Sequence, residues 1–248
     1  MKIAILFWGL TRSLKYTIDS IKINIFNVLK EQNIDYDIYL HTYRTNEPFT
    51  NPRSKEVNIR LNFNEYKLLE PKYFIFDDLK KTKLELNLNE YRTHPDPWKT
   101  KYHSVDNFIL AMYSKYRVTT LMSQTDKYDY CLFIRPDVKY VNKFDIRFLE
   151  LIDDINICIP NFAIYGNFND RMFLSNYTNG IIYGKLFDEL LEYSKKDKLH
   201  SEIFHYNTIK KKYKLDINLI KFYFNRVRAN GIEMKNDYKL QRKKINKL

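Results

Sequence analysis

The chain has 248 residues, with 42 Lys and Arg against 30 Asp and Glu, a formal net charge of +12, and 44% hydrophobic and 16% aromatic residues. That length and apolar content suffice for one large core and exclude a disordered or fibrous chain. With 29% charged residues the chain does not read as a membrane span.

Lys2 to Leu10 is a nearly continuous apolar run, too short for a long helix, and reads as a strand buried on both faces, ended by Gly9. It lacks a small-residue cleavage site, so it is no signal peptide, and the expected location is cytoplasmic. Leu14, Ile18, Ile21, Ile25 and Leu29 then follow at helical spacing, with Thr11 or Ser13 as N-cap. Tyr36 to Tyr43 is a second strand, which makes a βαβ unit and sets the class as α/β. Arg44 to Asn62 is polar, carries Pro48 and Pro52, and reads as a loop before a short strand at Tyr73 to Phe76. Asp77 to Lys101 is ambiguous. Ser104 to Gln124 is the clearest helix, with Val105, Phe108, Ile109, Met112, Tyr116 and Leu121 on one face. Asp129 to Ile134 is a strand delivering Arg135-Pro136-Asp137 to its carboxyl end. Beyond it the pattern predicts a strand at Ile155 to Ile164, a loop at Asn169 to Met172 and a short strand at Gly180 to Tyr183. A helix at Lys185 to Tyr193, a helix at Ser201 to Lys212 capped by Ser201, and an alternating strand at Ile217 to Phe224 complete the chain. Cys131 and Cys158 sit in apolar runs and read as small buried thiols of a reducing compartment.

Ligands of open α/β sheets bind beyond the carboxyl ends of the strands, so polar residues there are the candidates. Gly9 stands alone, and neither G-x-G-x-x-G nor G-x-x-x-x-G-K occurs, which argues against a dinucleotide oxidoreductase and a P-loop NTPase. Thr11, Arg12 and Ser13 open a helix, where backbone N–H groups and a guanidinium converge on a diphosphate, unless they form a plain N-cap with an exposed Arg. Asp137 reads either as a ligand of Mg²⁺ or Mn²⁺ through one oxygen, or as a partner of Arg135 or a turn cap. His41, at a strand end, is placed in the nucleotide pocket. Trp98 and Tyr102 read as core or as rings that stack on a sugar or base. No His/Cys spacing suits zinc.

Ile-Ala-Ile-Leu-Phe-Trp-Gly-Leu-Thr-Arg-Ser, Tyr-Asp-Ile-Tyr-Leu-His-Thr-Tyr, Tyr-Asp-Tyr-Cys-Leu-Phe-Ile-Arg-Pro-Asp-Val, Asn-Asp-Arg-Met and Arg-Val-Arg-Ala-Asn-Gly occur in that order. In order and spacing the sequence resembles a group of GT-A-type glycosyltransferases of large DNA viruses, with similar proteins in bacterial polysaccharide loci. The resemblance runs from Lys2 to about Gly231. It implies a GT-A-like single domain at 1–231, with a central, mostly parallel, twisted sheet flanked by helices, and a basic C-terminal extension at 232–248. It also implies a nucleotide-diphosphate sugar as donor, a glycan or glycoprotein acceptor, a divalent cation (Mn²⁺ or Mg²⁺), and, for a viral protein, the host cytoplasm.

Carried onto this chain, the family's Asp-x-Asp motif falls on Arg135-Pro136-Asp137, so Asp137 is the implied metal ligand while Arg135 replaces the first Asp and contacts ribose or phosphate. Asn169 and Asp170 correspond to the loop near the donor sugar, with Asp170 on sugar hydroxyls; their bland alternative is an Asx-turn. Glu202 corresponds to the acidic residue facing the acceptor, as general base, or is a first-turn Glu favoured by the helix dipole. Arg226 and Arg228 close over the diphosphate or belong to a basic surface. From His205 to Leu248 there are 13 Lys and Arg against 3 Asp and Glu, a net +10. That segment suits peripheral contact with an anionic surface, or the rival reading of a basic nucleic-acid-binding protein. The glycosyltransferase reading expects no specific nucleic acid. A catalytically inactive sugar-nucleotide-binding relative is the third alternative.

Overall fold

The computed structural model describes residues 1–243. In chain order the elements are β1 (Lys2–Trp8), α1 (Leu14–Ile21), α2 (Asn27–Glu31), β2 (Asp35–Arg44), β3 (Phe49–Asn51), β4 (Glu56–Ile59), β5 (Tyr73–Asp78), α3 (Leu79–Glu85) and α4 (His103–Ser123). They continue with β6 (Tyr130–Ile134), β7 (Val138–Tyr140), β8 (Asn156–Pro160), β9 (Met172–Asn176), α5 (Tyr177–Gly184), α6 (Phe187–Ser194), α7 (Ser201–Tyr206), β10 (Asp216–Ile220) and β11 (Phe224–Arg226).

Seven strands form one sheet in the order β10-β8-β9-β6-β1-β2-β5, parallel throughout except for β9. The apolar run of β1 has the burial such a position demands. Ile3, Ile5 and Phe7 face a core shared with Leu14, Ile18, Ile21, Ile25 and Leu29, while Ala4, Leu6 and Trp8 face a core shared with Val105, Phe108, Ile109 and Met112 of α4. Helices therefore cover both faces, and the protein is an α/β fold with a mostly parallel central sheet. Cys131 and Cys158 are buried free thiols. Among the described residues no helix is long and apolar enough to cross a membrane.

Four local expectations are corrected. The stretch expected as a loop at 44–62 holds the β3–β4 hairpin. The expected strand at Gly180 to Tyr183 belongs to α5, because Asn176 caps that helix by accepting the Asn179 N–H at 2.9 Å. The antiparallel strand is β9, immediately before it. The long final strand divides into β10 and β11, the latter pairing with β7 instead of joining the main sheet. Ser13 occupies the N-cap position, but its hydroxyl donates to the Val227 carbonyl at 2.9 Å, and Ser201 lies inside α7 behind His200.

Residues 232–243 pack onto the domain. Ile232 accepts the Arg228 N–H, Asp237 is buried, and the Ala163 and Lys243 amides bond to Leu240 and Asn161 carbonyls at 2.6 and 2.9 Å. Residues 244–248 of the expected basic extension lie outside the described residues.

Gly180 and Gly184 let α5 close onto β6 and α4: a Cβ at Gly180 would stand 2.7 Å from Cys131 Sγ, and one at Gly184 would stand 2.6 Å from Thr119 Cβ. Helix propensity favours Ala over Gly by about 1 kcal/mol, and overpacking of a dense core costs about 1–3 kcal/mol. The clash is with the Cβ of a buried, β-branched side chain on a facing helix and wins. Gly184→Ala is expected to lower Tm by several degrees, measured by thermal unfolding, whereas a rise would mean that α4 and α5 separate easily.

Candidate functional site

Counted outward, β5-β2-β1-β6 is the sequence 3-2-1-4, so the strand order reverses beside β1, and the carboxyl ends of β1 and β6 are where such sheets place their ligand crevice. Residues 9–13 leave β1 there and 135–137 leave β6. Gly9 has φ +88°, a conformation a side chain disfavours, although a Cβ would meet nothing within 4 Å. Its N–H donates to Ser114 Oγ at 2.8 Å. Thr11 is buried and its carbonyl accepts the Leu14 N–H.

Asp137 is the centre of the crevice. Its side chain is 4% exposed, and both oxygens are taken: Arg135 donates Nε–H to Oδ1 and Nη2–H to Oδ2, each at 2.7 Å, while Arg12 Nη2 donates to Oδ2 at 2.9 Å. Burial alone would raise the carboxyl pKa, but the two guanidiniums outweigh it and hold the group well below the usual carboxylate range. Arg12 also faces Glu56 of β4 at 3.7 Å and lies over Phe49 of β3 at 5.0 Å, while Arg135 lies over Trp8 at 5.4 Å. Glu56 in turn accepts the Ala229 N–H at 2.7 Å. The hairpin inside the expected loop therefore anchors two sides of the site.

Arg226 forms a fork with Asp237, at 2.7 and 3.0 Å, and buried Arg171 reaches the same carboxylate at 3.2 Å. Arg228 has no such partner: its closest carboxylate is Glu56 at 4.0 Å, and its buried Nε–H has no acceptor. Burial, with Arg226 and Arg12 nearby, lowers its pKa to about 10. Arg12, Arg135, Arg171, Arg226 and Arg228 thus outnumber the carboxylates near them, Glu56, Asp137, Asp237 and Asp170.

In this geometry Asp137, the expected metal ligand, is engaged by guanidinium groups. A divalent cation needs free carboxylate oxygens, and those of Asp137 are filled by guanidinium N–H groups whose charge repels a cation. Among the described residues no group of three or more His, Cys, Asp and Glu could hold a metal ion.

A second cluster adjoins the first. Asp170 accepts a hydrogen bond from the Ser201 hydroxyl, and Glu202 lies 3.3 Å from His200, whose ring stacks on Trp98 at 5.1 Å. Burial and the charge of Asp170 raise Glu202 to about 8, so it carries a proton at neutral pH. Burial opposes the Asp170 charge as well, but Lys115, the Ser201 hydroxyl and Arg171 outweigh it and keep Asp170 ionised. Lys115, 1% exposed, donates to Tyr183 Oη at 2.6 Å and to His205 Nε2 at 3.2 Å, and lies over the rings of Trp8 and Tyr183. The other His205 nitrogen donates to the Ser201 carbonyl at 2.7 Å, so His205 is neutral. Desolvation lowers Lys115 to about 7. Arg135 is near enough to Asp170 for their charges to interact, which links the clusters.

Two expected site residues serve from behind. His41 is fully buried and does not line the crevice; it accepts from Ser114 at 2.6 Å and donates to Asp77 at 3.1 Å, and Asp77 is held by Arg117. This Asp-His-Ser chain ends on the Gly9 amide and fixes the turn after β1. Asn169 is also buried; it donates to the Phe162 carbonyl and accepts the Arg171 N–H, an Asx-turn that presents Asp170. Sequence reading passed over Glu56, Phe49, Lys115, Arg171, His205 and Asp237. The one signal available was Lys115 on the apolar side of α4, four residues from Ala111 and three from Met112.

No protein-family model matches the chain, and no curated protein matches it. Among solved structures, the crystal structure of mouse xyloside xylosyltransferase 1 in its apo form is similar, with a TM-score of 0.44 and 11% identity, covering 89% of this chain and 85% of that one.

Removing one member of a buried ion pair strands its partners and costs about 3–5 kcal/mol. Asp137→Asn is therefore expected to lower Tm by roughly 10 °C in thermal unfolding; an unchanged Tm would mean that the guanidiniums do not depend on this carboxylate. Lys115 gives a pH signature. Between about 7 and its ordinary 10.5 the unfolded chain keeps a proton that the folded chain has released, so stability attributable to Lys115 rises with pH across that window. Wild type should gain on the order of 3 kcal/mol over Lys115→Met from pH 7 to pH 10 in urea unfolding, and parallel pH profiles would contradict a desolvated amine.

Proposed function

We propose that the protein is a glycosyltransferase that moves a sugar from a nucleotide-diphosphate donor to an acceptor hydroxyl. The observation that supports this reading is the adjacency of two things: a cluster of arginines at the switch point of an α/β sheet, and a buried carboxyl pair, Asp170 and Glu202, whose proton affinities are pushed apart. The first suits a diphosphate; the second suits proton transfer from a hydroxyl. The resemblance of the motifs to GT-A-type enzymes agrees with both.

In the proposed reaction the acceptor oxygen attacks the anomeric carbon, the bond from that carbon to the diphosphate oxygen breaks, and the nucleoside diphosphate leaves with the electron pair. Negative charge on the diphosphate grows as it departs, so Arg12, Arg135 and Arg228 bind the transition state more strongly than the ground state. Glu202, in its ionised form, accepts the proton of the acceptor hydroxyl. Asp170 holds hydroxyls of the donor sugar and keeps the proton affinity of Glu202 high. The Trp98 ring, stacked on His200 beside Glu202, is an apolar surface for an acceptor sugar. Turnover then needs Glu202 deprotonated, which sets the direction of its pH dependence.

The test is release of nucleoside diphosphate from UDP-, GDP- and dTDP-sugars with simple glycosides as acceptors, CMP-sugars serving as donors without a diphosphate. One diphosphate donor is expected to turn over with kcat/KM rising with pH through an apparent value near the 8 of the coupled pair. Glu202→Gln should lower kcat by roughly a hundredfold or more and abolish that limb while leaving donor affinity near wild type. Failure of every diphosphate donor to bind or react would sink the reading.

A further inference from the structure

We propose that the crevice binds the donor's diphosphate directly through Arg12, Arg135 and Arg228, with no divalent cation between protein and phosphate, and that Asp137 organises these guanidiniums instead of ligating a metal. The inference rests on the sugar-nucleotide reading of the site. It begins with occupancy of the carboxylate: both oxygens of Asp137 accept N–H groups, at 2.7, 2.7 and 2.9 Å. A cation would have to displace a bidentate Arg135 and the Arg12 contact, and would then sit among guanidiniums.

Three further observations point to an anion. Five arginines outnumber the four carboxylates near them, Glu56, Asp137, Asp237 and Asp170, which leaves the positive sign a diphosphate needs. Of the ten buried side-chain N and O atoms without a partner among the described residues, two are donors beside these guanidiniums, Arg228 Nε–H and Trp8 Nε1–H. Trp8 is the ring beneath Arg135, and Arg228 shares Glu56 with Arg12, so both orphans flank the Arg12–Asp137–Arg135 unit. Finally, Arg135 is the more open of the two guanidiniums on Asp137: its side chain is 23% exposed against 9% for Arg12. It pairs through Nε and Nη2, which leaves Nη1 for a ligand.

Fixed guanidinium planes supply what a cation supplies elsewhere, charge at a set position, and add directional hydrogen bonds. Asp137 and Glu56 set the distances, and Phe49 and Trp8 set the planes. A lysine at 135 would keep the charge and lose the fork.

The experiment is isothermal titration of the full chain with UDP, GDP, dTDP and inorganic pyrophosphate, each in excess EDTA and in millimolar Mn²⁺ or Mg²⁺. Expected is binding of one nucleotide in EDTA, with affinity within about threefold of that with metal, and a loss of roughly tenfold or more in Arg228→Gln and Arg135→Lys, as for a charge-assisted hydrogen bond. Circular dichroism checks that each variant folds, and the comparison of EDTA with metal on wild type decides the question if neither does. Binding that requires the cation overturns the inference and leaves the sugar-nucleotide reading standing. Pyrophosphate bound in EDTA without any nucleotide supports the metal-free anion site and sinks the sugar-nucleotide reading. No binding of any probe in either buffer sinks both.

Discussion

The buried contact of Asp137 with Arg135 and Arg12 is the interaction on which the site depends, because it joins segments that the chain connects only through the sheet. Arg12 follows β1 and Asp137 follows β6, and they meet because these strands are parallel neighbours ending at the same edge. Desolvating three charges is expensive, and such a cluster stays ionic only when geometry and further hydrogen bonds compensate. Here compensation comes from Glu56, reached by both Arg12 and Arg228, and from a fork that satisfies both Asp137 oxygens. A carboxylate accepting three guanidinium N–H groups is a good template: it holds those groups at fixed spacing, which lowers the ordering that binding an anion would require.

The acid–base cluster follows an opposite logic. Asp170 keeps its charge because Ser201 donates to it and Lys115 and Arg171 lie near; Glu202 loses its charge through burial and the neighbouring charge of Asp170. Two carboxyls in adjoining positions thereby acquire different proton affinities. Lys115 is the less obvious participant. A fully buried amine sharing its donors between Tyr183 and His205, it lies near Asp170 and gives up its charge as pH rises above about 7, while the neutral imidazole accepting from it brings no second like charge there.

Parts of this arrangement were legible in the sequence for identifiable reasons. β1, β2, β6 and α4 carry long apolar patterns whose period is unambiguous, so the βαβ core and the strand ends bearing Arg12 and Asp137 were readable. The β3–β4 hairpin was not: its strands are three and four residues long, polar, and bounded by Pro52, and its importance comes from Glu56 and Phe49 meeting residues far away in sequence. α5 read as a strand because Ile181 and Ile182 favour one, while the deciding cap, Asn176, lay upstream and the close packing at Gly180 and Gly184 is tertiary. Asp137 as an ion-pair partner of Arg135 was an alternative visible from their two-residue spacing; that Arg12 completes the pair was not, since no local pattern encodes a contact across 125 positions. His41 misled for a related reason, as a strand-end position does not reveal which face a ring takes.

The basic C-terminal segment is where composition and structure diverge most. A net +10 from His205 onward reads as a charged surface, yet Arg226 and Arg228 turn inward, and Asp237 is consumed in holding Arg171 and Arg226. Asp237 belongs to the stretch expected as an appendage, but it sets the charge balance of the crevice, and the carbonyl of Leu240 bonds to the loop after β8. Removing 237–248 would therefore strip a carboxylate from Arg171 and Arg226 as well as the exposed Lys239 and Lys243 from the surface. Loss of anion binding on such a truncation would follow from either a nucleic-acid-binding tail or a disordered crevice. Charge reversal at exposed Lys239 separates the two: it alters the surface field while leaving Asp237 and both of its guanidiniums in contact.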